Sequence, residues 1–299
     1  MKIVIAGGTG FIGKMLTDLL LAEGHSVVIL TRGNRESSGK VQFVKWLEEG
    51  AQPETEIRHA DAFINLAGVS INAGRWSANH QKQIYESRMT ATDELLRIIS
   101  LLPDKPSVLV SASAIGIYPA SIKTVYTESS TERAKDFLGK TVHDWENKAK
   151  LVEGHSVRAV FMRFGVVLGK EEGALPLMAL PYRLFVGGKV GSGEQWVSWV
   201  HVMDVVRAIV FALVNEDLRG PVNVTSPSPV QMDDFGKTIA SVLHRPHWMP
   251  VPSFAMKVVL GQKSALVLEG QHVVPQRLIE HGFEFTFPIL KLALDDLLT

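Results

Sequence analysis

The chain has 299 residues, 46% hydrophobic and 21% charged, enough to bury a large core as one α/β domain with a smaller lobe. Its 31 basic residues balance 31 acidic ones, which excludes a whole-chain electrostatic footprint for nucleic acid or an acidic membrane. The absence of cysteine excludes disulfides, thiolate metal sites and a cysteine nucleophile. The first apolar run, Ile3 to Ala6, is too short for a signal peptide, and no stretch is long enough to span a bilayer, so a cytoplasmic protein with no membrane partner is expected.

From the N-terminus, short β-branched runs alternate with helical patterns, the order of βα units feeding a parallel sheet buried on both faces. Lys2 to Ala6, Ser26 to Thr31, Val41 to Trp46, Ala62 to Asn65, Ser107 to Ala112 and Val157 to Arg163 read as strands. Between the first two, Phe11, Ile12, Met15, Leu16, Leu19 and Leu20 recur at helical spacing until Gly24 stops the helix. Met89, Leu95, Leu96, Ile98 and Ile99 predict a second helix from Ser87 to Leu102. Past Gly169 a loop-rich insertion carries Pro176, Pro181, Gly187, Gly188, Gly191 and Gly193. A helix from Met203 to Asn215, a strand at Val222 to Thr225, a helix from Asp233 to Leu243, a Pro-rich stretch from Arg245 to Pro252 and a helix from Ile289 to Leu298 follow. The expected fold class is α/β, a Rossmann-type doubly wound parallel sheet over residues 1–169, rejoined by part of 200–225. Residues 170–299 form a smaller α+β C-terminal lobe, and the ligand lies beyond the carboxyl ends of the strands.

The first strand runs into Gly7-Gly8-Thr9-Gly10-Phe11-Ile12-Gly13. A dinucleotide's diphosphate needs backbone amides aimed at it from a helix N-terminus, and a side chain at the contact would hold it off. Gly7 permits the turn, Gly10 the close approach and Gly13 the packing of helix on strand, so this spacing predicts cofactor binding. The second strand ends on Thr31-Arg32, where an NAD-preferring site would carry Asp or Glu for the ribose hydroxyls. A guanidinium grips a 2′-phosphate instead, with Arg35 as a second donor, and the pattern favours NADP(H) over NAD(H). Asn65-Leu66-Ala67-Gly68 closes the fourth strand with small residues, suiting either a backbone that runs along the cofactor or a plain strand exit.

These segments resemble the extended short-chain dehydrogenase/reductases, the NAD-dependent epimerase/dehydratase family. The resemblance rests on Ala6 to Gly13, Asn65 to Gly68, Ser111-Ala112-Ser113-Ala114 with Tyr118 beyond, and Val200-His201-Val202-Met203-Asp204. Arg75-Trp76, Ser87-Arg88, Asp144-Trp145-Glu146 and Leu268-Glu269-Gly270-Gln271 narrow it to an atypical subgroup called epimerase family proteins. The resemblance implies a catalytic Ser113, with Ser111 competing, hydrogen-bonded to a substrate carbonyl. It implies Arg88 beside the cofactor's diphosphate, with Gln83 sharing that helix face, and Val167 among the cofactor contacts. It also implies a Tyr-x-x-x-Lys pair, and none occurs. Registered on Glu146, the two positions fall on Leu138 and Val142, neither of which moves a proton. Tyr118 is the nearest phenol to stand in for the lost tyrosine, or else packs at the pocket rim. Val197 and Val166 replace an Arg and an Asn that serve the sugar nucleotide in an epimerase, which argues against a UDP-sugar substrate.

Trp196, Trp199 and His201 are expected to line the substrate pocket, with Val197, Met178, Tyr182 and Arg183 nearby and Asp204 as a helix N-cap. His244 and His247 form the only close histidine pair, and no metal is expected. The predicted function is an NADP(H)-binding oxidoreductase or epimerase acting on a small carbonyl or hydroxyl compound, as a monomer or homodimer. The alternative is a non-catalytic NADP(H)-binding sensor or scaffold.

Overall fold

The computed structural model describes residues 1–74 and 76–299, so Arg75 of the Arg75-Trp76 motif lies outside the described residues. The chain runs through β1 (Lys2–Ala6), α1 (Phe11–Ala22), β2 (Ser26–Thr31), β3 (Val41–Lys45), α2 (Pro53–Ile57), β4 (Ala62–Asn65), α3 (Ala78–Leu101), β5 (Val108–Ala114), β6 (Ser121–Tyr126), α4 (Phe137–Lys150), β7 (Arg158–Phe164) and β8 (Val166–Leu168). It continues through α5 (Leu175–Arg183), β9 (Trp196–Val197), β10 (Trp199–His201), α6 (Val202–Val214), β11 (Gly220–Val224), β12 (Val230–Gln231) and α7 (Met232–Leu243). The last elements are α8 (Ser253–Leu260), α9 (Ala265–Leu268), β13 (Gln271–Val273), α10 (Gln276–Glu280) and α11 (Leu290–Leu298).

Seven strands form one sheet in the order β11-β7-β5-β4-β1-β2-β3, with every neighbouring pair parallel. This is a doubly wound Rossmann-type sheet. Both faces are apolar because both are covered: Ile3, Ile5, Val27 and Ile29 pack with Leu16 of α1 and Val205 of α6, while Val4, Ala6, Val28 and Leu30 pack with Leu95 of α3 and Ala149 of α4. Strand order reverses between β1 and β4, which opens the crevice where such sheets take ligands. A third core cluster joins α5, α7 and α11 around Trp199 and Phe235 in the C-terminal lobe. Residues 199–224 return to the first body, since β11 extends the sheet and α6 packs on its face.

Two differences from the sequence reading bear on the site. Helix α3 starts at Ala78, nine residues before the expected Ser87, because Asn79 to Gln83 are polar and carry no apolar period; Ser77 caps it by accepting from His80 N at 3.2 Å. Strand β5 runs two residues beyond Ala112, so Ser113 is held in the sheet rather than in a loop. The insertion after Gly169 also contains α5, with Pro176 in its first turn, where a missing N–H costs nothing. Among the described residues no helix is long and apolar enough to cross a membrane.

Candidate active site

The glycine turn sits at the carboxyl end of β1 and admits no side chain at two of its positions. Gly7 has φ +83°, and a Cβ there would lie 2.7 Å from the Leu66 carbonyl. A Cβ on Gly13 would lie 2.3 Å from the Gly7 oxygen. Gly10 donates to the Gly7 oxygen at 3.0 Å and caps α1 with no side chain, leaving the helix's first amides uncovered. Gly8 is buried against Ile29, Thr9 and Ile12 are half-buried, and the Phe11 ring packs beneath Gly169 and Gly173 at the exit of β8. The turn, Leu66 and Ala67, and Val167 on β8 therefore belong to one small region.

Arg88 enters that region from α3. Its Nη1 donates to the Val69 oxygen at 3.1 Å and to the Ile84 oxygen at 2.9 Å, and its guanidinium lies beside Gly68 and 5.1 Å from the Trp145 ring centroid. Among the described residues no carboxylate pairs with it, and burial pulls its pKa down to about 10. A half-buried cation with no counter-charge among the described residues, beside an open helix N-terminus, suits a diphosphate, so these residues fit a dinucleotide. Gln83, five residues earlier, is turned by about 140° on an ideal helix. It is exposed, which corrects the expectation that it shares Arg88's face.

At the end of β2, Thr31 lines a hollow of about 300 Å³ together with Gly33, Asn34, Arg35, Glu36, Phe43 and Lys45, and the exposed Arg32 follows Thr31 in the chain without lining it. Sequence reading missed Lys45. It faces Thr31 in the β2–β3 register, a pairing that only strand alignment could have revealed.

At the end of β5 lies a buried polar chain. Ser113 donates to Glu146 Oε1 at 2.5 Å, and Glu146 receives Nε and Nη2 of Arg163 at 2.8 and 2.7 Å. Arg163 Nη1 donates to the Tyr118 hydroxyl at 2.8 Å. Burial works against the Arg163 charge, but Glu146 overrides it and raises the guanidinium's pKa. Tyr118 is 0% exposed, its hydroxyl also engaged by Asn223 and the Thr127 carbonyl, and burial raises its pKa. It is therefore a buried hub, neither a rim residue nor a replacement phenol, and the sequence expectation is corrected. Ser111 is also buried, with its hydroxyl on the Ala112 carbonyl. The single proton of Ser113 is committed to Glu146, so its oxygen is left to accept a hydrogen bond rather than donate to a carbonyl. Leu138 lies half-buried against Gly116, and Val142 is buried against Ile115 and Tyr118.

Two of the three expected pocket residues are core. Trp199 is 0% exposed, with its indole N–H on the Ser228 carbonyl. His201 is buried, stacks on Phe287, and caps α6 by accepting from Met203 N at 3.1 Å, while burial lowers its pKa. It takes the capping role expected of Asp204, whose carboxylate instead accepts the amides of Thr286 and Phe287. Trp196 alone stays partly exposed, its ring centroid 3.9 Å from that of His272 with the planes tilted by 31°. Val197 is buried in the C-terminal lobe and Val166 packs against that cluster. Tyr182 is buried with its hydroxyl 3.1 Å from His247, which in turn meets Asp233 at 3.0 Å.

The sequence pattern of the NAD dependent epimerase/dehydratase family matches residues 3–225, and that of a domain of unknown function, DUF1731, matches residues 251–297. The chain is similar to the epimerase family protein YfhF of Bacillus subtilis (strain 168), at 48% identity over 299 residues that span 100% of this chain and 98% of the relative. Among solved structures it is similar to the human epimerase family protein SDR39U1 (isoform 2) with NADPH, at 34% identity and a TM-score of 0.89 over 99% of each chain. The UDP-glucose 4-epimerase of Thermus thermophilus in complex with NAD shares the fold at 20% identity, with a TM-score of 0.77 over 99% of each chain.

Proposed function

The chain belongs to the NAD-dependent epimerase/dehydratase family, and from that premise we propose that it binds NADP(H) and acts as an atypical oxidoreductase or epimerase on a small carbonyl or hydroxyl compound. The observation that carries the reading is the half-buried Arg88 cation, unpaired among the described residues, beside Gly68 and the uncapped α1 N-terminus. The α1 amides and Arg88 hold the diphosphate, and Arg35 and Lys45 in the hollow at β2, joined by the neighbouring Arg32, take a 2′-phosphate. The human relative crystallised with NADPH supports that preference. When bound, the cofactor supplies or accepts hydride at its nicotinamide ring. Ser113, its proton held by Glu146, accepts a hydrogen bond from the substrate hydroxyl and fixes that oxygen. The places of the epimerase's Arg and Asn are filled by Val197 and Val166, packed in or against the C-terminal core, so a substrate without a nucleotide diphosphate fits best. Single-turnover reduction of bound NADP⁺ against a panel of small alcohols tests the proposal, since the acceptor oxygen of Ser113 fits the hydroxyl form of the substrate. Growth of the reduced-nicotinamide absorbance with some of them is expected, and tight binding without turnover across the panel refutes it.

One observation favours a second reading, a non-catalytic sensor of the cofactor's redox state. Leu138 and Val142 occupy the positions of the proton-handling pair, and Val142 is buried. That reading requires different affinities for NADP⁺ and NADPH, and equal dissociation constants with no redox-dependent partner remove it.

A further inference from the structure

Ten of the nineteen exposed large apolar side chains among the described residues fall in two stretches, 177–186 and 248–259. Backbone bonds join them. Trp248 and Met249 both donate to the Gly187 oxygen, Val251 donates to the Lys189 oxygen, and the Trp248 indole donates to the Phe185 oxygen at 2.9 Å. The second stretch leads into α8, which has no buried residue and leaves Phe254 70% and Val258 79% exposed. Scattered exposed leucines need no explanation, but a joined cluster holding a tryptophan and two phenylalanines does.

Charge is segregated on the same segments. Residues 173–193 and 235–268 contain no Asp or Glu, although the whole chain is balanced. Arg183, Lys189, Arg245 and Lys257 lie there and form no ion pair among the described residues, whereas Lys263 donates to the Asn72 carbonyl and Lys237 is neutralised by Asp233 at 2.7 Å. A second copy seated here would bring two uncompensated positive faces together. Exposed Trp, Phe, Leu and Val interleaved with unpaired Lys and Arg, with no carboxylate, make the composition of an interfacial anchor. We propose that this face of the C-terminal lobe rests reversibly on an anionic phospholipid surface. Phe254, Val258 and Trp248 enter the headgroup region while the basic side chains meet lipid phosphates.

The test is co-sedimentation of the full chain with vesicles of phosphatidylcholine alone and with roughly a third phosphatidylglycerol. Binding to the anionic vesicles is expected, to be weakened by added salt and absent on the neutral ones. Phe254→Ser with Val258→Ser, both at exposed positions, lowers binding at least about tenfold, and Lys257→Glu or Arg245→Glu about fivefold or more each, with circular dichroism unchanged. No binding to anionic vesicles at low salt, or binding untouched by these variants, overturns the proposal. So does sedimentation equilibrium showing a dimer that the Phe254→Ser, Val258→Ser variant dissociates.

Discussion

Replacing Arg88 by Met separates cofactor binding from stability, because the side chain's costs and gains without the cofactor nearly cancel. Burial holds the guanidinium's pKa well below its ordinary value, down to about 10, equivalent to about 3 kcal/mol of desolvation. Against that stand two charge-assisted hydrogen bonds, to Val69 and Ile84, of about 1.5 kcal/mol each at the low end of their range, and the contact with Trp145, about 1 kcal/mol, which leaves a net of about 1 kcal/mol. Met keeps the apolar volume. The variant without cofactor should therefore melt within about 3 °C of the wild type. With cofactor the balance changes, since a charge-assisted bond to the diphosphate contributes about 1.5–3 kcal/mol, which is about 10- to 100-fold in affinity. The diphosphate is common to both cofactors, so titration calorimetry should show NADPH and NADH weakened alike. An affinity change below about threefold, or a loss confined to NADPH, would refute the role assigned to Arg88.

Arg32→Ala and Lys45→Ala should each weaken NADPH about tenfold while NADH binding stays within about twofold, read by fluorescence titration; equal losses would place the 2′-phosphate elsewhere. Glu146→Ala strands the 2%-exposed Arg163 and should cost about 3–5 kcal/mol in urea unfolding, whereas a cost under about 1 kcal/mol would mean that water reaches the guanidinium. Glu128 accepts from Asn223 N and Arg277 N on Oε1, while its Oε2 is buried with no partner among the described residues, and burial raises its pKa above the unfolded value. Its stabilising contribution is therefore full below the unfolded carboxyl pKa and is lost as pH rises through the raised folded value. The melting temperature of Glu128→Gln minus that of the wild type should rise with pH across that window and then level off, and a difference independent of pH would show that Glu128 does not titrate there.

The sheet was legible because its strands are buried on both faces, so Ile3 to Ala6 and Ala62 to Ile64 are unbroken apolar runs inside strands that end where the structure puts them. The glycine turn was legible because sterics forbid alternatives at Gly7 and Gly13. The start of α3 was not, since solvated helix lacks an apolar period, and neither was Glu146 as a partner of Ser113, since the two meet only when α4 packs on β5. Trp199 and His201 misled because an aromatic signals a pocket wall and a packed core equally well. What decided between them was that the core of the C-terminal lobe closes around both, with Phe287 laid on the imidazole.

The Phe11 ring beneath Gly169 and Gly173 makes those positions a lock and its key. A Cβ on Gly169 would come 2.3 Å from Phe11 Cζ and 2.9 Å from the Glu172 oxygen, so a larger residue at 169 needs a smaller one at position 11 together with a shift of the 172 carbonyl. Among descendants of this chain the two sites are expected to change together, one shrinking as the other grows. The helix that receives the cofactor and the strand exit that opens the second lobe thus share a single evolutionary degree of freedom.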